Sequence, residues 1–427
     1  MLAVLGGLLP CCGMVGCWQM FLLCFLSAPI LLYRGSLESY VLGGIWVVDD
    51  WNGSLAFLSF WLGALMMIAT FPRKSLCIWG VVICCFLAFC SYSFFWFYIF
   101  FELSLVPVFI MILRWGVQPE RISAVSYLVI YTLGGSLPFL LFIISCFLAY
   151  GSLFMGFSWD LLSKMGYWGC IGVMVFFIKM PCYPFHLWLT KAHVEAPAAG
   201  SMALAGLLLK LGGVGLMRVL GSYGQLCYSM EVFWASAGVW GGVLGSIICL
   251  RQMDSKSLVA YSSVGHMSLV QLSILSGSNL GWTGALYMMV AHGLCSSGLF
   301  SVLGEYYGKV QTRSMSVCMG LGMIFPSTTI WWCILIVCSM SCPPGLSFLS
   351  EIFMGMSIMG TFPGFFLWFS VMGFLSGAYS LILYGGTMHG PCCSSLRPRF
   401  TGISKCSYLG LLHSIPLFIL FFFPAFL

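Results

Sequence analysis

The chain has 427 residues, 61% of them hydrophobic and only 7% charged, with a net charge of +6 and a mean hydropathy of +1.04. A soluble domain carries about 25% charged residues, so most of this surface cannot face water. The few basic residues form no run, which leaves no patch for nucleic acid and expects membrane lipids around the chain instead.

Apolar stretches of roughly 18 to 25 residues recur from end to end, each long enough to cross a bilayer. In hydrocarbon only helices and closed barrels satisfy their own backbone polar groups. Barrel strands would alternate polar and apolar residues, and Ile122–Tyr150 and Met319–Cys338 do not. The sequence therefore predicts an all-α polytopic membrane protein with roughly 13 to 14 transmembrane helices at ~20 residues each.

In chain order, residues 1–90 read as N-terminal transmembrane helices, interrupted by the polar connection Ser36–Asn52 and the adjacent Arg73 and Lys74. Further connections fall at Trp115–Ser123, Ser158–Tyr167, Gly221–Met230, Gly304–Ser316 and Met388–Ser407, the last setting one final span, 408–427, apart. Residues 1–10 lack the basic start and small-residue cleavage site of a signal peptide, and no Arg-rich transit peptide appears. That fits a protein made in the compartment where it works, a trait that bacterial inner-membrane proteins share.

Two places break the helical pattern. Pro181 and Pro184 interrupt a span beginning near Tyr167, and Ser341-Cys-Pro-Pro-Gly345 interrupts the apolar run from Met319 to Met359. Proline inside a helix removes a hydrogen bond and costs about 3 kcal/mol. A pair of interrupted helices in corresponding halves is the mark of a transporter with internal repeats.

Four charges lie inside apolar spans: Glu102, Lys179, Lys210 and Glu351. Each costs roughly 2.5 to 3.5 kcal/mol at mid-membrane unless it meets a partner or a water-filled cavity. Burial disfavours the charged form of either group and an opposite charge restores it. A lysine that gains and loses an acidic partner can thus take up and release a proton. The bland alternative is a set of structural ion pairs, or side chains snorkelling from span ends. His186, His193, His266 and His292 add candidates for a relay, with His266 and His292 favoured. Asp254 and Lys256 read as a solvated loop pair, and Asn52-Gly-Ser54 matches a glycosylation sequon.

The 21 cysteines sit mostly within apolar spans, and no C-x-x-C occurs. The clustered thiolates of iron–sulfur and zinc sites are missing, so no cofactor or metal is expected in this chain. Gly304-Glu-Tyr-Tyr-Gly-Lys309 is one residue short of a phosphate-binding loop.

The stretch Lys179-Met-Pro-Cys-Tyr-Pro-Phe-His-Leu-Trp-Leu-Thr-Lys-Ala-His-Val-Glu-Ala-Pro197, followed by Leu207-Leu-Leu-Lys-Leu-Gly-Gly213, resembles the signature of the antiporter-like subunits. These occur in NADH–ubiquinone oxidoreductase (respiratory complex I), in multisubunit cation/proton antiporters and in membrane-bound hydrogenases. Phe101-Glu-Leu-Ser-Leu-Val-Pro107, the run Asp254 to Met267 and Ala291-His-Gly-Leu-Cys-Ser-Ser-Gly-Leu-Phe300 agree with it. Within the family one group carries a lysine in the second broken helix and another a glutamate. Glu351, with Glu120-Arg121, sets this sequence in the glutamate group, while Thr190 stands where the family usually has proline.

The resemblance implies two inverted five-helix repeats, each with one discontinuous helix, over residues 91–220 and 230–387. It implies that Glu102, Lys179, Lys210 and Glu351 form a proton-translocating axis. It also implies that NADH, FMN, iron–sulfur clusters and ubiquinone belong to partner subunits, with antiporter-like chains 2 and 5 as neighbours in the mitochondrial inner membrane. Two other functions share these residues: a cation/proton antiporter without redox partners, and a membrane scaffold in which the buried charges only pair.

Overall fold

A computed structural model describes residues 40–42, 46–48, 50–70, 74–155, 167–224, 226–391 and 403–424. The helices expected before residue 40, most of the 158–167 connection and much of 388–407 lie outside the described residues. The chain is a helical bundle, as expected, with one small addition: a hairpin of β1 (Tyr40–Leu42) and β2 (Trp46–Val48). Trp46 bridges to Ser91 and its ring meets Phe100 at 5.8 Å, so the hairpin is anchored to the bundle.

The helices follow as α1 (Asp50–Ala69), α2 (Ser75–Cys90), α3 (Phe94–Leu103), α4 (Leu105–Trp115), α5 (Arg121–Tyr150), α6 (Tyr167–Lys179) and α7 (Leu187–Glu195). Next come α8 (Ala198–Ala203), a π turn (Leu204–Leu208) and α9 (Leu209–Tyr223), which together form one span. The remainder are α10 (Tyr228–Arg251), α11 (Ser255–Leu275), α12 (Asn279–Val310), the short α13 (Leu321–Ile324), α14 (Pro326–Ser339), α15 (Leu346–Thr361), α16 (Phe366–Met388) and α17 (Ile403–Phe422). Among the described residues nine helical spans are long and apolar enough to cross a membrane. Helix α2 and the two interrupted pairs, α6 with α7 and α14 with α15, complete the set.

Local sequence sets several boundaries. Ser93 and Ser278 cap α3 and α12 by accepting from the amides of Trp96 and Gly281. Gly151 ends α5 in the left-handed conformation at φ 71°. The span from Phe94 to Trp115 bends at Ser104, where Pro107 in the first turn of α4 denies the backbone one donor. Helix α12 runs through Val310, well beyond Gly304, where polar composition predicts its end. Its last turns pack instead: Tyr306 is buried against Trp332, and its hydroxyl meets the Thr328 hydroxyl at 2.9 Å.

The bundle has a buried centre and an exposed apolar rim. The spans through α8–α9, α11 and α12 are 94%, 89% and 94% buried, against 28% for α16 and 33% for α17. A helix with little exposed surface tolerates polar side chains only if they find partners inside. That requirement brings Lys210 of α9 together with His266 of α11 and His292 of α12.

The two interruptions share one backbone design. In the first, Met180 N–H bonds Phe176 O, Cys182 N–H bonds Phe177 O and Phe185 N–H bonds Cys182 O. In the second, Met340, Cys342 and Gly345 bond Ile336, Val337 and Cys342, each residue 160 positions on from its counterpart. Each break also leaves a helix carbonyl that hydrocarbon cannot solvate. The Trp188 indole donates to Ile178 O at 3.0 Å in the first, and the Ser347 hydroxyl donates to Cys338 O at 2.5 Å in the second. The expectation of an unwound segment immediately after Lys179 holds: α6 ends there and helix resumes at Leu187.

Candidate functional site

Lys210 is fully buried on α9, directly after the π turn. A π turn shifts the backbone out of its regular ladder, and such turns recur at functional sites. Here the Ala205 carbonyl in that turn accepts from the Lys210 Nζ at 2.6 Å. A second donor of the ammonium points at His292 Nδ1, 2.8 Å away on α12. With the lysine charged, Nδ1 accepts, so the imidazole proton sits on Nε2.

From His292 the polar groups continue. The rings of His292 and His266 (α11) are 5.6 Å apart, and the Tyr379 hydroxyl (α16) is 3.5 Å from His266 Nε2. Two small cavities flank His266. One, about 20 Å³, is lined by His266, His292, Ser262, Ser296 and Ser347. The other, about 10 Å³, is lined by His266, Tyr379 and Glu351. A cavity of roughly 10 to 15 Å³ holds one water if polar partners are present, so both are scaled to single waters. Glu351 ends this line on α15, and its Oε1 accepts from the Ser341 hydroxyl at 2.6 Å. Ser341 lies in the second break with φ 57°, a left-handed conformation that costs a non-glycine residue about 1 kcal/mol or more. The break thus turns a hydroxyl onto the carboxylate.

Lys179 and Glu102 form a separate, looser group. Lys179 is buried at the C-terminus of α6, where the helix dipole favours a cation. Its Nζ has no hydrogen-bond partner and lies 4.0 Å from the centroid of Phe101. Such desolvated cation–π contacts are worth ~2 kcal/mol. Glu102, next in sequence to Phe101, interacts with Lys179 electrostatically but makes no direct ion pair with it. Glu102 is mostly buried, with its Oε1 inaccessible, although its neighbours Leu103 and Val106 are exposed. A glycine joins this group to the first: a β-carbon at Gly212, two residues after Lys210, would come 3.1 Å from that of Lys179.

The sequence reading of Lys256 needs correction. Far from being solvated, it is 5% exposed and donates to Ala196 O at 3.2 Å, at the joint between α7 and α8. Beside it Arg313 pairs with buried Glu195 at 3.3 Å. Two residues before Glu195, fully buried His193 stacks on Phe300 at 4.7 Å with both ring nitrogens unpartnered. Glu195 and His193 sit in the quoted signature and Arg313 in a predicted polar connection, but only tertiary packing shows that they meet. The glycosylation reading also falls: Asn52 is buried and its amide donates to Val47 O and Phe89 O.

Residues 91–376 match the family model described as NADH:quinone oxidoreductase/Mrp antiporter, TM. The chain belongs to that family. A relative from Locusta migratoria named NADH-ubiquinone oxidoreductase chain 4 is 38% identical over 98% of this chain and 95% of its own length. One of the same name from Branchiostoma lanceolatum is 40% identical over 86% and 85%. A chain of respiratory complex I from Thermus thermophilus with bound NADH superposes at TM-score 0.85, with 22% identity over 96% of this chain and 91% of its own. A chain of the Mrp complex from a Dietzia species superposes at 0.83, with 15% identity over 96% and 89%. The helical-bundle fold is therefore shared with a chain of each assembly.

Proposed function

We propose that this chain translocates protons as the chain 4 subunit of NADH:ubiquinone oxidoreductase in the mitochondrial inner membrane. The observation that carries the reading is the buried line from Lys210 through His292 and His266 to Glu351, joined by a 2.8 Å contact and two water-sized cavities. Every group in it gains or loses a proton, and none is spent on an ion pair. A scaffold would pair its charges, because an unpaired buried charge is the costly state. In this reading Lys179 and Glu102 set the charge beside Lys210, and a shift in that charge moves a proton along the histidines to Glu351.

The repeats are taken as five spans from Ser75 to Tyr223 and five from Tyr228 to Met388, the interrupted helix fourth in each. An odd number of crossings starts the second repeat on the opposite side of the membrane, which makes the repeats inverted. The first thus begins one span earlier than residue 91. NADH, FMN, iron–sulfur clusters and ubiquinone are assigned to partner subunits, which must supply the energy. A carboxylate beside the exposed Leu103 and Val106 suits a neighbouring antiporter-like subunit, chain 2 or chain 5, better than lipid.

Glu102→Gln in the assembled complex tests the reading. Glutamine keeps the shape and removes the charge facing Lys179, so the proton-to-electron ratio in sealed vesicles should fall while assembly is retained. An unchanged ratio at normal turnover would leave Glu102 structural. The likeness to the Mrp chain favours, as a second reading, cation/proton exchange without redox partners. Sodium-dependent proton exchange by the purified chain in the absence of NADH, with no flavin or iron–sulfur protein co-purifying, would support that alternative.

A further inference from the structure

We propose that Cys295 and Cys338 form an oxidisable dithiol that locks the histidine cavity when a peroxide converts it to a disulfide. The inference rests on the proton-path reading above only for its effect on pumping; the site itself stands on geometry. Helices α12 and α14 are successive spans and run antiparallel. Close approach at Gly298 and Leu335 fixes their register, since a β-carbon at Gly298 would lie 2.9 Å from a Leu335 methyl. Three residues back on α12 and three forward on α14 are Cys295 and Cys338. The Tyr306–Thr328 hydroxyl contact near the other end of α14 follows nearly the same register. The two thiols accordingly face each other, interact side chain to side chain, and both line the 20 Å³ cavity shared by His266 and His292.

Neither cysteine is in a disulfide. Bridging requires Cα atoms within about 7 Å, a spacing that a glycine-mediated helix contact favours. The cavity admits only a molecule on the scale of water, which selects hydrogen peroxide over bulky disulfide oxidants. In the first step a thiol sulfur attacks the peroxide, its O–O bond breaks, and a sulfenic acid and one water form. The second thiol then displaces hydroxide from the sulfenic sulfur, and that hydroxide takes the displaced proton to become a second water. Overall two thiols lose two electrons and two protons, and one peroxide becomes two waters.

The mechanical consequence follows from where the cysteines sit. Cys338 supplies the carbonyl that Ser347 caps, and it lies three residues before Ser341, whose hydroxyl holds Glu351. A disulfide would tether this lip of the break to α12, one turn from His292, and take up cavity space that a water needs. Proton transfer between His292 and Glu351 should then slow.

The assembled complex in sealed vesicles is treated with hydrogen peroxide, quenched, and divided between peptide mass spectrometry and proton-to-electron measurement. The expected result is a peptide joined through Cys295 and Cys338, with a several-fold fall in coupled proton transport that a membrane-permeant reductant reverses. Cys295→Ser and Cys338→Ala should each keep their transport through the same treatment. Absence of the joined peptide overturns the dithiol site. A joined peptide with unchanged coupling overturns the lock, and equal peroxide loss in both variants does the same.

Discussion

The two interrupted helices have the same backbone turn and opposite chemistry. In both, the chain leaves a half-helix through matched hydrogen bonds, and a later side chain caps the freed carbonyl. The first turn, however, follows a lysine whose ammonium has an aromatic face and a nearby carboxylate but no hydrogen-bond partner. The second places a strained serine against a glutamate on the following half-helix. A break in a membrane helix is thus a general device for holding a charge, and the residue beside it decides the sign. The cation sits at the carbonyl end of its half-helix, the end that the dipole favours.

Removing the two lysines should separate pumping from assembly most sharply. Lys210→Met eliminates the donor to His292, and proton transfer should slow on the order of a hundredfold, the usual contribution of one positioned acid–base group. Lys179→Met should slow it comparably, although Lys179 touches no relay group directly. Proton uptake by sealed vesicles, normalised to assembled complex, measures both. Loss in Lys210→Met alone would show that the first break serves only structure.

Glu351→Gln probes the second break. The amide oxygen can still accept from Ser341, so the turn should persist, while the group can no longer carry a proton; slower coupled transport is expected, by less than in the lysine variants. Wild-type transport in this variant would end the line of proton carriers at His266.

Ser341 allows strain and hydroxyl to be separated. Ser341→Gly relieves the left-handed backbone and should stabilise the turn by about 1 kcal/mol, whereas Ser341→Ala keeps the strain. Both lose the donor to Glu351. If the hydroxyl matters, the two variants share a transport defect and differ only in thermal stability. A defect confined to Ser341→Ala would assign the effect to the backbone.

The caps should change transport least and show themselves in stability instead. Trp188→Phe and Ser347→Ala each orphan a buried carbonyl at a cost of about 1 to 3 kcal/mol. Matched losses in heat resistance of the assembled complex would support the equivalence of the two turns, and a loss in one alone would break it.

Helical content, the two breaks and the four intramembrane charges were all legible in the chain. Each rests on a local rule: apolar length for spans, proline for interruptions, and the cost of charge in hydrocarbon for functional candidates. The quoted signature carried the family for the same reason, since its residues are contiguous. Contacts across helices were not legible. Lys210 and His292 are 82 residues apart and share no motif, yet they meet because α9 and α12 are both nearly devoid of exposed surface. Lys256 reads as solvated from its neighbours Asp254 and Ser255, but packing buries it against the α7–α8 joint. Sequence by itself determined what kind of helix most segments form and singled out four charges within apolar stretches. The tertiary structure alone decided which of them face one another, because a buried polar side chain is satisfied only by whatever group the helix packing brings to it.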